Sequence, residues 1–241
     1  MKQLAYLIFV LALTVPAFAQ DTTNRTDAAG KKQGYWKKKS PEGQLLYTGQ
    51  FRDGIPYGVF HYFYPDGVTK AVSQYSSDGK TTQTKTYFTN GRIMAEGKFV
   101  NEKREGLWKF YTETDGLLIS EENYLDGKKD GISKNYYAGK GIAELSTFKN
   151  GIHEGLWEQY FPDGKVKFRC TYAADKKEGP VTGYSSSGQV VMSGTYKNGA
   201  PEGIWTYYDE KGKVTRKETY ERGYRIKQEG EFEKDSISGP Q

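Results

Sequence analysis

Beyond its first twenty residues this sequence has no long apolar run, and it has almost none of the residues that most often build chemical sites. In 241 residues there are one cysteine, two histidines and three methionines. A lone cysteine, Cys170, excludes an internal disulfide framework and reads as a small apolar filler. The two histidines, His61 and His153, sit far apart in the chain, so neither a shared metal site nor a histidine-based catalytic pair is expected. Phosphate loops, nucleophile elbows and zinc-ligand spacings are also missing. Leucine and alanine are sparse, which argues against a helical protein. Charge of one sign is concentrated in no more than one short stretch. The 35 Lys and Arg against 30 Asp and Glu give a net +5, spread along the chain, with Lys31 to Lys39 the one dense basic stretch. That distribution does not predict nucleic-acid binding. No catalytic residue, no metal ligand and no cofactor is expected, and the chain is read as a non-enzyme.

The first residues carry a targeting signal. Lys2 precedes an apolar run from Leu4 to Val15, then Pro16 and the small-x-small sequence Ala17-Phe18-Ala19. This is a secretory signal peptide over residues 1–19, with cleavage leaving Gln20, and it predicts a periplasmic or extracellular protein. The run is too short to span a bilayer and no later segment replaces it, so no transmembrane segment is expected. No cysteine lies beside the cleavage point to take a lipid anchor.

Aromatics and glycines are abundant instead: 20 Tyr, 12 Phe, 4 Trp and 29 Gly. The glycines are periodic. Gly34, Gly58, Gly106, Gly131, Gly155, Gly179 and Gly203 recur at spacings of 24 or 25, with one double spacing of 48 whose missing mark falls at Thr82. Counting that degenerate unit gives eight. A second glycine follows nine or ten residues after each mark, at Gly43, Gly67, Gly91, Gly116, Gly141, Gly164, Gly188 and Gly212. Several sit in turn sequences such as Tyr64-Pro65-Asp66-Gly67. Asp53-Gly54, Asp126-Gly127, Asn150-Gly151 and Asn198-Gly199 mark the turn into the next unit. Strand, turn, strand, turn is a β-meander. The fold class predicted is all-β: an elongated meander of about eight 24-residue β-hairpin repeats forming a twisted single sheet or solenoid. The array covers residues 34–223, after a flexible leader at 20–33 and before a capping strand and disordered tail at 224–241, with the strand placed at Ile226 to Phe232. One such unit cannot bury its own large side chains, so neighbours must cover one another.

Alternation along a strand puts positions one and five after the opening glycine on one face and positions two and four on the other. Position five is aromatic in seven units, from Phe63 to Tyr208, and position two holds Trp36, Phe60, Trp108, Trp157 and Trp205. The acids before the opening glycines, Glu105, Asp130, Glu154, Glu178 and Glu202, recur once per unit and are read as acceptors for turn N–H groups.

The blocks Phe148-Lys149-Asn150-Gly151-Ile152-His153-Glu154-Gly155-Leu156-Trp157 and Tyr196-Lys197-Asn198-Gly199-Ala200-Pro201-Glu202-Gly203-Ile204-Trp205 resemble the bacterial variant of the MORN repeat, many of whose members are labelled YwqK-type antitoxins. The resemblance spans roughly residues 34–223. It implies hairpin repeats and a binding or scaffolding role, with no catalytic residues. A signal peptide departs from what an antitoxin acting in the cytoplasm needs.

Three functions follow as expectations. The leading one is a protein-interaction or scaffold module at the cell envelope, with a protein partner. An alternative is a cell-wall glycan binder, with Trp36, Phe60, Trp108, Trp157 and Trp205 as the candidate binding face, because regularly spaced rings can stack on sugars. Packing between units needs the same residues and is the default reading, and their exposure decides. A further alternative is an antitoxin or immunity protein of the YwqK type.

Overall fold

The structure, a computed structural model, describes residues 23–230, and there it consists of strands and turns alone. The amino-terminal half contains β1 (Arg25–Thr26), β2 (Lys32–Lys39), β3 (Leu45–Arg52), β4 (Ile55–Phe63), β5 (Thr69–Tyr75), β6 (Thr81–Tyr87), β7 (Ile93–Val100), β8 (Lys103–Tyr111) and β9 (Leu118–Leu125). The other half contains β10 (Lys128–Tyr136), β11 (Ile142–Lys149), β12 (Ile152–Tyr160), β13 (Val166–Ala173), β14 (Lys176–Tyr184), β15 (Val190–Lys197), β16 (Ala200–Tyr208), β17 (Val214–Glu221) and β18 (Tyr224–Gly230). Each strand pairs antiparallel with the next in sequence, from β1–β2 to β17–β18, giving one open sheet. The eight predicted units are the eight hairpins from β2–β3 to β16–β17.

Each opening glycine has a local reason. Gly106 sits at φ 69°, a left-handed conformation that a Cβ disfavours. The pairing of its strand with the preceding one slips at this point, between Glu96 and Lys98. Such a bulge bends the strand. The acid before the glycine then reaches back across the turn. Glu105 Oε2 accepts the Asp126 N–H at 3.1 Å, Glu154 Oε2 that of Ala174 at 3.0 Å and Glu202 Oε2 that of Arg222 at 2.8 Å. The three N–H groups belong to turn residues at positive φ, so in each of the last five units one acid anchors the next turn.

Two boundaries differ from expectation. Residues 23–33, read as leader, form β1, a turn and the start of β2. Asn24 holds both polar atoms of one backbone residue, accepting from Lys37 N at 2.7 Å and donating to Lys37 O at 3.1 Å. Asp27 closes the turn by accepting from Ala29 N and Lys31 N, both at 2.9 Å. Polar clamps of this kind leave no hydrophobic pattern to read. The capping strand runs Tyr224–Gly230, two residues earlier than predicted. The signal peptide at 1–19 and the tail at 234–241 lie outside the described residues.

Candidate interaction surface

The two faces of the sheet are unlike. On one, the position-two residues form a row across the strands. Each faces a small residue on the following strand in most units: Trp36 opposite Gly49, Phe60 opposite Ser73, Trp157 opposite Cys170, Val181 opposite Gly194. That small residue also makes room for the next ring. A Cβ at Gly49, Gly97 or Gly194 would overlap Phe60, Trp108 or Trp205, respectively. The second-strand aromatics close over the same row edge-on, with Phe99 4.8 Å from Trp108 and Tyr196 5.1 Å from Trp205. Cations cover what remains: Arg104 lies 4.8 Å from the Trp108 ring, and Lys177 lies 5.1 Å from Trp157.

Of the expected aromatic binding face, three rings are therefore covered. Phe60, Trp108 and Trp205 are 2%, 1% and 5% exposed, and Trp36 and Trp157 are half-buried. Phe60, Trp108 and Trp205 belong to the core of the single sheet that the described residues form, buried ring on glycine and ring on ring, while Trp36 and Trp157 keep part of their surface. Gly49, Gly97 and Gly194 on the preceding strands carried the signal, each leaving the space that the next ring fills.

The remaining candidates are placed as follows. Cys170 is 2% exposed beside Val181 and Trp205, and burial pushes its thiol pKa up. His153 packs between Phe148 at 4.2 Å and Tyr172 at 4.8 Å, while His61 is exposed on the other face, so the structure does not bring the two together. Among the described residues no group of three or more His, Cys, Asp or Glu is arranged to hold a metal ion. Two acids, Glu158 and Glu218, are buried among the described residues, and Glu158 accepts from Arg169 and Tyr160. Glu218, 4% exposed, accepts from Arg225 at 2.8 Å, Tyr207 at 2.9 Å and Tyr220 at 3.0 Å. Burial opposes its charge, yet these hydrogen bonds hold its pKa below the usual carboxylate value.

The opposite face carries position one. Tyr35, Val59, Leu107, Ile132, Leu156 and Ile204 are all exposed there, Ile204 by 61%. Gln83 and Pro180 fill the column in the other two units. Since each unit adds two strands at about 4.8 Å, the column repeats about every 9.6 Å. Beside it, Lys85 pairs with Glu96 at 3.2 Å and Lys109 lies 3.7 Å from Glu121. Tyr111 donates to Glu96 at 2.6 Å, and burial together with that carboxylate pushes its hydroxyl up to about 12. This face is an apolar column with a satisfied, charge-balanced margin.

An open single sheet of chained hairpins, with a ring-packed core and an accessible apolar column, defines a β-hairpin repeat protein. A family model described as the MORN repeat variant matches three consecutive stretches, residues 154–174, 177–198 and 201–222, so the chain carries repeats of that family. The matched stretches fall on β12–β13, β14–β15 and β16–β17, and the same hairpin recurs upstream to β2–β3.

Proposed function

We propose that this protein is an exported, non-enzymatic interaction module that works at the cell envelope by holding an elongated protein partner. The observation that carries the reading is the position-one column: aliphatic side chains exposed at the same place in five of the eight units. Recurrent exposed apolar residues rimmed by charge are the usual mark of a protein-binding surface. A partner presenting apolar side chains about every 9.6 Å would engage several units at once, and long sheets offer area rather than a deep catalytic pocket.

The test uses the purified protein and a triple variant, Leu107→Lys, Ile132→Lys and Leu156→Lys, each immobilised and exposed to envelope extract and, separately, to insoluble cell wall. A discrete protein retained by the parent and released by the triple variant supports the reading. Retention on the wall alone, unchanged in the variant, replaces it with a glycan-binding one.

A further inference from the structure

The third unit is built differently from the others. Thr82 stands where the opening glycine belongs and Thr84 where most units have a ring. Without the glycine there is no bulge: β5 and β6 pair in unbroken register from Ala71–Thr86 to Tyr75–Thr82. The turn between them also lengthens, to residues 76–80, where Asp53-Gly54 suffices one unit earlier.

Ser133 and Val181 also stand in for a ring in two other units, but at Thr84 the neighbours leave a space unfilled. A cleft of about 630 Å³ opens here on the ring face, within the roughly 300–1,000 Å³ range of small-molecule sites. Its walls are the rings of Tyr62, Tyr75 and Phe99, and its floor is Ser73, Thr82 and Thr84. The floor is buried and made of hydroxyls. Thr84 Oγ1 lies 2.8 Å from Ser73 Oγ and 3.1 Å from Thr82 Oγ1. On the wall, the Tyr62 and Tyr75 hydroxyls lie 2.9 Å apart. These three bonds use three of five hydroxyl protons, leaving two protons and several lone pairs for a ligand. Lys80 and Glu102, of opposite sign, share the rim.

We propose that this cleft is a binding site for a neutral saccharide ring. Aromatic walls accept the C–H face of a pyranose, and hydroxyl groups on the floor exchange hydrogen bonds with those of the sugar. An aromatic side chain from a partner would fit the walls, but it would cover the floor hydroxyls without bonding to them, which is costly. A phosphate or other charged ligand finds no net charge on the rim. The site lies on the face opposite the position-one column and does not depend on it.

Trp108, 4.8 Å from the wall residue Phe99, is the built-in reporter. The purified protein is titrated with glucose, galactose, mannose, N-acetylglucosamine and the β-1,4-linked trisaccharides of glucose and N-acetylglucosamine. Binding is followed by calorimetry and tryptophan emission, with N-acetyltryptophanamide as the aromatic comparison. At least one saccharide is expected to saturate. Thr84→Trp restores the missing ring, as Trp157 sits beside Ser146, and should weaken binding at least tenfold in a folded protein. Tyr75→Phe keeps the wall, removes one hydroxyl and should weaken binding several-fold, so the site remains testable if the tryptophan variant fails to fold. No saturation by any saccharide, binding unchanged in the variants, or saturation by N-acetyltryptophanamide alone would overturn the proposal.

Discussion

The Trp108 indole rests directly on the backbone of Gly97 in the preceding strand, in space a Cβ would occupy. Gly97→Ala should push the ring outward, toward the half-buried position Trp157 takes beside Ser146. Overpacking of this kind costs about 1–3 kcal/mol. Urea denaturation should show the loss, and tryptophan emission should shift to the red. Unchanged stability and emission would mean the ring row tolerates a side chain beneath it.

Glu154 accepts the Ala174 N–H at 3.0 Å across the turn that begins the next unit. Glu154→Ala should cost about 0.5–1.5 kcal/mol, the ordinary worth of one hydrogen bond. Hydrogen exchange should accelerate at Ala174 and its turn while distant units keep their protection. A uniform change along the whole array would contradict the one-acid, one-turn assignment.

The Glu218 cluster makes the carboxy-terminal end sensitive to acid. Burial opposes its charge, but the bonds from Arg225, Tyr207 and Tyr220 lower its folded pKa below the ordinary 4.5. Its contribution to stability is therefore complete above about 4.5 and is lost as pH falls through the lower, folded value. Exchange of β18 amides should rise over that interval, and Glu218→Gln should flatten the dependence while lowering stability at neutral pH. An identical pH profile in the variant would sink the assignment.

Cys170 is 2% exposed and its thiol pKa is raised by burial. A thiol reagent should react slowly with the native protein and fully in denaturant, because the thiolate is the reactive form. Fast labelling in the absence of denaturant would show that the β13–β14 region opens locally.

Position-one side chains contribute little to their own sheet. Ile132→Lys and Leu156→Lys should each change stability by no more than about 0.5 kcal/mol, as surface substitutions usually do. A larger loss in thermal denaturation would show that the column packs within the protein.

Much of this architecture was legible in the chain, since glycines at a spacing of 24 fixed the hairpins and their number. Alternation placed large side chains on both faces, however, and could not say which face would be covered. The deciding residues, Gly49, Gly97 and Gly194, are not part of any turn and lie on the neighbouring strand, eleven positions before the ring each one admits. Trp108 and Trp205 accordingly read as a possible surface when they are core. The amino-terminal hairpin escaped for a different reason, since Asn24 and Asp27 order it through hydrogen bonds. Thr82 was recognisable as a missing glycine, but the cleft depends on Thr84 two residues later, whose small size matters only once the neighbouring rings are in place.

Every strand pairs only with its chain neighbours, so no part of the sheet fixes the length of any other part. Gene duplication or loss of one 24-residue segment would join the same kinds of strand edge that are joined now. Reach is thus the property most open to evolutionary adjustment, and related chains can differ in the number of rungs while keeping the same rung. The Thr82 unit is the exception: as the one described rung without an opening glycine, it gives the ladder an origin from which positions along it can be counted.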